Sequence, residues 1–177
     1  MLAFDSSGVD ASRMHLRDAV SEDFELLSSL LVEALNWTGE TRMTDEQVLA
    51  EPELNHYVTG WKRLTDFGLV AVDDDAPIGA IWGRIFPDNE PGYGFIAGDI
   101  PELSMAVIPG RRGKGVGGAL LRACVEQARL TGCPALSLSV EDGNDVARRL
   151  YDRHHFRVVG RTGASDTMRL DLQVASR

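Results

Sequence analysis

Cysteine is scarce. Cys124 and Cys133 are the only two, too few for a disulfide framework or, between them, a metal site, and they read as small core hydrophobes. Basic residues are also in deficit, 18 against 27 acidic ones, for a formal charge of -9. That surface field repels phosphate backbones and anionic lipid, which argues against nucleic acid and membrane as partners and favours cationic ligands such as protonated amines. No long apolar run is present either. Residues 1–20 carry Asp5 and Asp10 where a leader would be basic, and the most apolar window, 91–110, is interrupted by four Gly, three Pro, Asp99 and Glu102. Neither pattern suits an export signal or a membrane helix, so a cytoplasmic protein is expected.

What is present is an ordinary globular composition. Over 177 residues, 44% are hydrophobic and 25% charged, enough to bury one core of normal size. A single domain over 1–177 is expected, with a polar tail at 1–12. Met14 and Leu16 alternate with His15 and Arg17 as in a half-buried strand. Ser21 reads as the N-cap of a helix with Phe24, Leu27, Leu31 and Leu35 on one face. Thr44 and Gln47 make a capping-box pair, and Pro52 fits the first turn of a short helix running towards Trp61.

Strands follow at 67–72 and 78–86, joined by the turn-forming run 73–77 as an antiparallel hairpin. The connection 87–101, rich in Gly and Pro and containing Tyr93 and Phe95, is long enough to suggest a substrate mouth. Next come a strand at 103–107, a helix at 116–130 stopped by Gly132 and Pro134, a strand at 135–140, a helix at 144–154, and a closing hairpin at 156–161 and 167–172. Strand, helices, hairpin, strand, helix, strand, helix, hairpin is the order of an α/β sandwich with a mixed sheet.

The informative segment is 107–118, Val-Ile-Pro-Gly-Arg-Arg-Gly-Lys-Gly-Val-Gly-Gly. It joins a strand to a helix. Glycines let backbone approach a ligand, a helix start offers unpaired N–H groups, and Arg111, Arg112 and Lys114 concentrate positive charge in an acidic chain, so the segment reads as an anion cradle. A P-loop is excluded, because Ile108 stands where its first glycine belongs and Gly115 where its Ser or Thr belongs. A dinucleotide fingerprint is matched by Gly113, Gly115 and Gly118, with Glu141 near the ribose-binding position. Too little chain follows to complete a doubly wound sheet and a substrate site.

Arg112, Gly115 and Gly117, after a strand ending in Val107-Ile108-Pro109, fit the Gln/Arg-x-x-Gly-x-Gly/Ala pattern of the GNAT superfamily of acyl-CoA-dependent N-acetyltransferases. Asn144, Ala147, Leu150 and Tyr151 fit that family's Asn-x-x-Ala-x-x-Leu-Tyr helix. The chain therefore resembles this family from Met14 to Leu172, with a cofactor-binding core at 103–156. One departure is plain: the family's Gly-Phe pair is here His155-Phe156. The resemblance implies a mixed, mostly antiparallel central sheet, helices on both faces, and a splayed strand pair that receives the cofactor.

It also implies a reaction: transfer of an acetyl group from acetyl-CoA to a primary amine of a small molecule or peptide, without a metal. Backbone N–H groups of Arg112, Gly113, Lys114, Gly115, Val116, Gly117 and Gly118 would hold the pyrophosphate. Met105, Ala106 and Val107 on the splayed strand would meet pantetheine, a free N–H near Ala106 or Val107 polarising the thioester. Asn144 would contact the cofactor or cap its helix. An alkylamine is protonated at neutral pH and needs a base, for which Glu102 is best placed, ahead of Asp99 and Glu33. Tyr151 would protonate the departing thiolate. Dimerisation is common in the family, and no feature of this sequence fixes it. Two other readings stand beside this one: a noncatalytic acyl-CoA-binding module, and the dinucleotide-binding protein weighed above.

Overall fold

In the computed structural model, which describes residues 14–172, all seven apolar runs join one sheet. The tail read at 1–12 lies outside the described residues. The strands are β1 (His15–Asp18), β2 (Phe67–Asp73), β3 (Ala76–Arg84), β4 (Glu102–Val107), β5 (Ala135–Glu141), β6 (Arg157–Thr162) and β7 (Ser165–Asp171). Their order is β1-β2-β3-β4-β5-β7-β6, and every neighbouring pair is antiparallel except β4 with β5. That parallel pair is held at one register position, Glu102 opposite Ser137. Beyond it the two strands part. Among the described residues there is no doubly wound parallel sheet, and the dinucleotide alternative finds no support.

The central strands are apolar on both faces because both are covered. Leu69, Ala71, Ile81 and Leu103 share one core with α4 (Val116–Leu130) and with Tyr151 of α5 (Asp145–Arg153). Val70, Val72, Ala80 and Trp82 share the other with α1 (Phe24–Leu35), α2 (Asp45–Ala50) and α3 (Pro52–Asn55). The stripe Val116, Leu120, Leu121, Cys124, Val125 and Ala128 buries one side of α4. Each fully buried leucine in it contributes about 1.5–3 kcal/mol.

Most elements lie where the periodicity places them, and the differences have local causes. Ser21 does not cap α1: a 3₁₀ turn over Ser21–Asp23 precedes it. The Asp23 carboxylate takes the Val20 N–H at 2.8 Å and both arms of the Arg17 guanidinium at 2.7 Å. This pairing holds the Asp23 carboxyl below its usual range. The Thr44 and Gln47 box forms as expected. The helix starting at Pro52 stops at Asn55 instead of running on towards Trp61. The hairpin turn tightens to Asp74 and Asp75, both at positive φ, the arrangement whose twist suits a two-residue β-hairpin.

The substitution of His155 for glycine has a visible cost. His155 adopts φ 66° in the left-handed region, where a side chain is disfavoured. The Phe156 N–H donates to Tyr151 O and the His155 N–H to Asp152 O, both at 3.1 Å. Together these bonds form a Schellman closure of α5, and the Phe156 ring lies 5.9 Å from that of Tyr151. His155→Gly is expected to stabilise the fold by about 0.5–1 kcal/mol. Urea unfolding of the two proteins checks this, and a lower midpoint for the glycine variant would contradict it.

Candidate functional site

Glycine and a helix start shape one end of the site. Gly113 and Gly115 take φ 72° and 84°, and Gly115 stands immediately before α4. The first helical bond of α4 runs from the Ala119 N–H to Gly115 O. The N–H groups from Gly113 to Gly118 therefore donate to no described residue. Six consecutive donors at a helix start make an anion cradle. The flanking cations are mostly committed elsewhere. Arg111 pairs with Asp73, and the Arg112 side chain donates to Val107 O at 2.9 Å and to Glu33 at 3.1 Å; the Arg112 backbone N–H, expected on the pyrophosphate, is also taken, by Pro109 O at 3.3 Å. Lys114 is exposed, with no ion partner among the described residues, and Val116 points into the core. Gly117 lets α4 approach α5, since a Cβ there would already touch Leu150 at 3.4 Å.

The parting of β4 from β5 supplies the middle of the site. The Ile108 N–H donates to Ile78 O, which fixes the phase of the antiparallel ladder between β3 and β4. Two residues back, Ala106 pairs with Ala80, so its N–H faces β3 and is not free. This corrects the expectation for Ala106. By the same alternation Met105 and Val107 direct their backbone N–H groups into the gap.

Glu102 lies at the closed end of that gap. It is only 3% exposed, not the open residue that its place before a strand would suggest. Its Oε1 accepts the Tyr57 hydroxyl at 2.7 Å and the Gly94 N–H at 2.8 Å. The Tyr57 oxygen in turn accepts the Tyr93 N–H at 2.7 Å. Oε2 is buried and unpartnered. Burial pushes the Glu102 carboxyl up to about 7 against these bonds, and pushes the Tyr57 hydroxyl well above its usual 10. The glycine-rich connection makes this packing feasible: a Cβ at Gly92 would overlap Glu102 Oε2 and fall 2.7 Å from the Tyr57 oxygen.

Tyr57 was not singled out from the sequence, and no local motif marks it. Long-range bonds place it. Trp82 Nε1 donates to Tyr57 O at 3.0 Å, and buried Arg84 ties down His56 O and Thr59 O at 2.7 Å while pairing with Asp66.

A cavity of about 1430 Å³ joins these parts. Its lining includes Glu102, Met105, Ala106, Val107, Arg112, Gly113, Gly115, Gly117, Gly118, Asn144 and Tyr151, whereas Lys114 and Val116 lie outside it. Asn144 caps α5, its Oδ1 accepting the Ala147 N–H at 3.2 Å. The Tyr151 hydroxyl bonds to no described residue, and burial pushes it up to about 12. Glu33 is spent on Arg112, and Asp99 does not line the cavity. Glu141 is occupied as well, by Arg42 at 2.7 and 2.8 Å and by Trp37 Nε1 at 2.8 Å. Among the described residues no cluster of His, Cys, Asp and Glu could hold a metal, and no helix is long and apolar enough to cross a membrane.

Residues 28–156 match the model of the Acetyltransferase (GNAT) family. A mycothiol acetyltransferase of Brachybacterium faecium is 32% identical over 121 residues, which are 68% of this chain and 32% of that protein. The chain thus spans about a third of the length of this curated relative. The PaiA N-acetyltransferase of Thermoplasma acidophilum, solved with coenzyme A, superposes with TM-score 0.67 at 23% identity, over 89% of this chain and 98% of that one. The yncA protein of Salmonella typhimurium, solved with acetyl-CoA, gives 0.63 at 21% identity over 92% and 96%.

Proposed function

The chain belongs to the acetyltransferase (GNAT) family, and on that premise we propose that it moves an acetyl group from acetyl-CoA to a primary amine by direct attack. The observation that carries this reading is Glu102, a buried carboxyl with one free oxygen and a pKa near 7, in the same cavity as the anion cradle. When bound, acetyl-CoA supplies the acyl group as a reactive thioester. The chain's own residues do the rest.

The free N–H groups from Gly113 to Gly118 bind pyrophosphate, and Met105 and Val107 orient pantetheine along the open edge of β4. An alkylamine with a pKa of about 10.4 reaches the site protonated. Glu102 Oε2 takes that proton while Tyr57 and the Gly94 N–H hold Oε1 in place. The Tyr151 hydroxyl, un-ionised at neutral pH, gives a proton to the departing sulfur. Trp37 and Asn144 wall the passage. The cytoplasm suits the two free thiols, Cys124 and Cys133.

Calorimetric titration with acetyl-CoA, coenzyme A, NADH and ATP, followed by an amine screen for thiol release, tests the proposal. Micromolar binding of the CoA pair alone, with thiol release that depends on added amine, is the expected result. Preference for NADH would overturn the cofactor assignment. CoA binding with only slow hydrolysis would overturn the transfer chemistry.

A further inference from the structure

Among the charged residues that line the cavity, the stretch from α1 to α3 supplies Glu33, Arg42, Glu51 and Glu53, and β4 supplies Glu102. Pairing sorts them. Glu33 is taken by Arg112 at 3.1 Å and Arg42 by Glu141 at 2.7 Å. Of these five, Glu51, Glu53 and Glu102 are left without an ion partner among the described residues, and the two cavity-lining arginines that are also unpaired, Arg149 and Arg153, stand on α5 instead. Glu51 and Glu53 are exposed at the rim, while Glu102 Oε2 is buried and unpartnered at the floor. The three are connected through the chain, because Glu53 stands four residues before Tyr57, whose hydroxyl holds Glu102. The start of α3 favours acids at these rim positions. It does not require that they face a cavity, nor that Arg42, the cation on the same wall, be neutralised.

The same lining is apolar at Leu54, Met43 and Leu35, and along the chain Leu54 falls between Glu53 and Tyr57. A monoamine would satisfy the floor and leave the rim carboxylates solvated. A methylene chain with a cation at each end satisfies all of it. We propose that the acceptor is an aliphatic diamine. Its inner nitrogen meets Glu102 Oε2, its methylenes lie against Leu54 and Met43, and its outer ammonium meets Glu51 and Glu53. This inference rests on the acetyl-transfer reading and names the substrate class of that same site. The thioester C–S bond breaks and a C–N bond forms at the inner nitrogen. The inner nitrogen gives up two protons, one to Glu102 before attack and one as the tetrahedral adduct collapses; the thiolate takes a proton from Tyr151, which the second of these replaces, and the outer ammonium is unchanged.

The test measures CoA release by the full chain at saturating acetyl-CoA with butylamine against diaminobutane, and with hexylamine against diaminohexane. Diamines differ from monoamines in basicity and in having two reactive ends, and neither difference is altered by a change in the protein. The decisive quantity is therefore how the diamine-to-monoamine ratio of kcat/KM responds to the rim. That ratio is expected to fall about tenfold in E51Q/E53Q, further in E51K/E53K, and in the wild type when salt is raised to about 0.5 M. Both pairs of substitutions are at exposed positions, and circular dichroism confirms that the variants fold. A ratio that the rim variants leave unchanged overturns the diamine inference and leaves amine acetylation standing. Release of CoA with none of the four amines, while acetyl-CoA binds, overturns the amine-transfer reading and this inference with it.

Discussion

Glu102→Gln lowers kcat by about 10²- to 10³-fold while acetyl-CoA affinity stays within about twofold of the wild type. Glutamine keeps the shape of the side chain and an oxygen for the Tyr57 hydroxyl and the Gly94 N–H, but it cannot take a proton from an amine. The pH profile separates lost chemistry from lost structure. With the Glu102 carboxyl at about 7, wild-type kcat/KM climbs as pH rises through 7 and bends there, because the ionised form is the active one. The variant lacks that bend.

Stability moves the opposite way. The folded protein raises this carboxyl from 4.5 to about 7, so it favours the protonated form, and native stability is lost as pH rises through that interval. The full penalty above pH 7 is on the order of 3 kcal/mol. Glu102→Gln should therefore melt at a higher temperature than the wild type at pH 8, and the gain should shrink as pH falls towards 4.5. Normal turnover in the variant, or a melting difference independent of pH, would show that the buried carboxyl has another purpose.

Tyr151→Phe is the second large effect, with kcat reduced about 10²-fold and acetyl-CoA binding unaltered. Phenylalanine retains the ring packing against Phe156, so the melting temperature should hardly change. Burial raises the hydroxyl to about 12, which keeps it a proton donor at every ordinary assay pH. The variant's deficit is therefore flat from about pH 6 to 9, all of it well below the point where the phenol ionises. Full turnover with normal affinity would remove Tyr151 from the reaction.

The fold was largely legible because its signals are local. The apolar stripe of α4, the Thr44 and Gln47 box and the aspartates before Ala76 each specify an element within a few residues. The Ser21 cap expected from the sequence does not form because Asp23, held by Arg17 of β1 from across a turn, takes the Val20 N–H instead. The site is legible in a different proportion. Glycines and helix starts announce the cradle at 113–118, since backbone donors need no partner from elsewhere. The state of Glu102 could not be read at all: its burial depends on Tyr57, 45 residues away, and on Gly92 and Gly94 folding over it. Likewise the alternation that turns the Ala106 N–H away from the gap is set by the register with β3, which a single strand's sequence does not state.

The lone register position joining β4 to β5 has a mechanical consequence. A sheet fastened at one point and open beyond it behaves as a pair of jaws with a fulcrum, and Glu102 and Ser137 are that fulcrum. Val107, five residues farther along β4, lies about 17 Å from it. A rotation of about 5° between the two halves displaces that end by about 1.5 Å and the fulcrum hardly at all. Changes in spacing at the tips, where the strands are not paired, therefore leave Glu102 in place to within a fraction of a hydrogen-bond length.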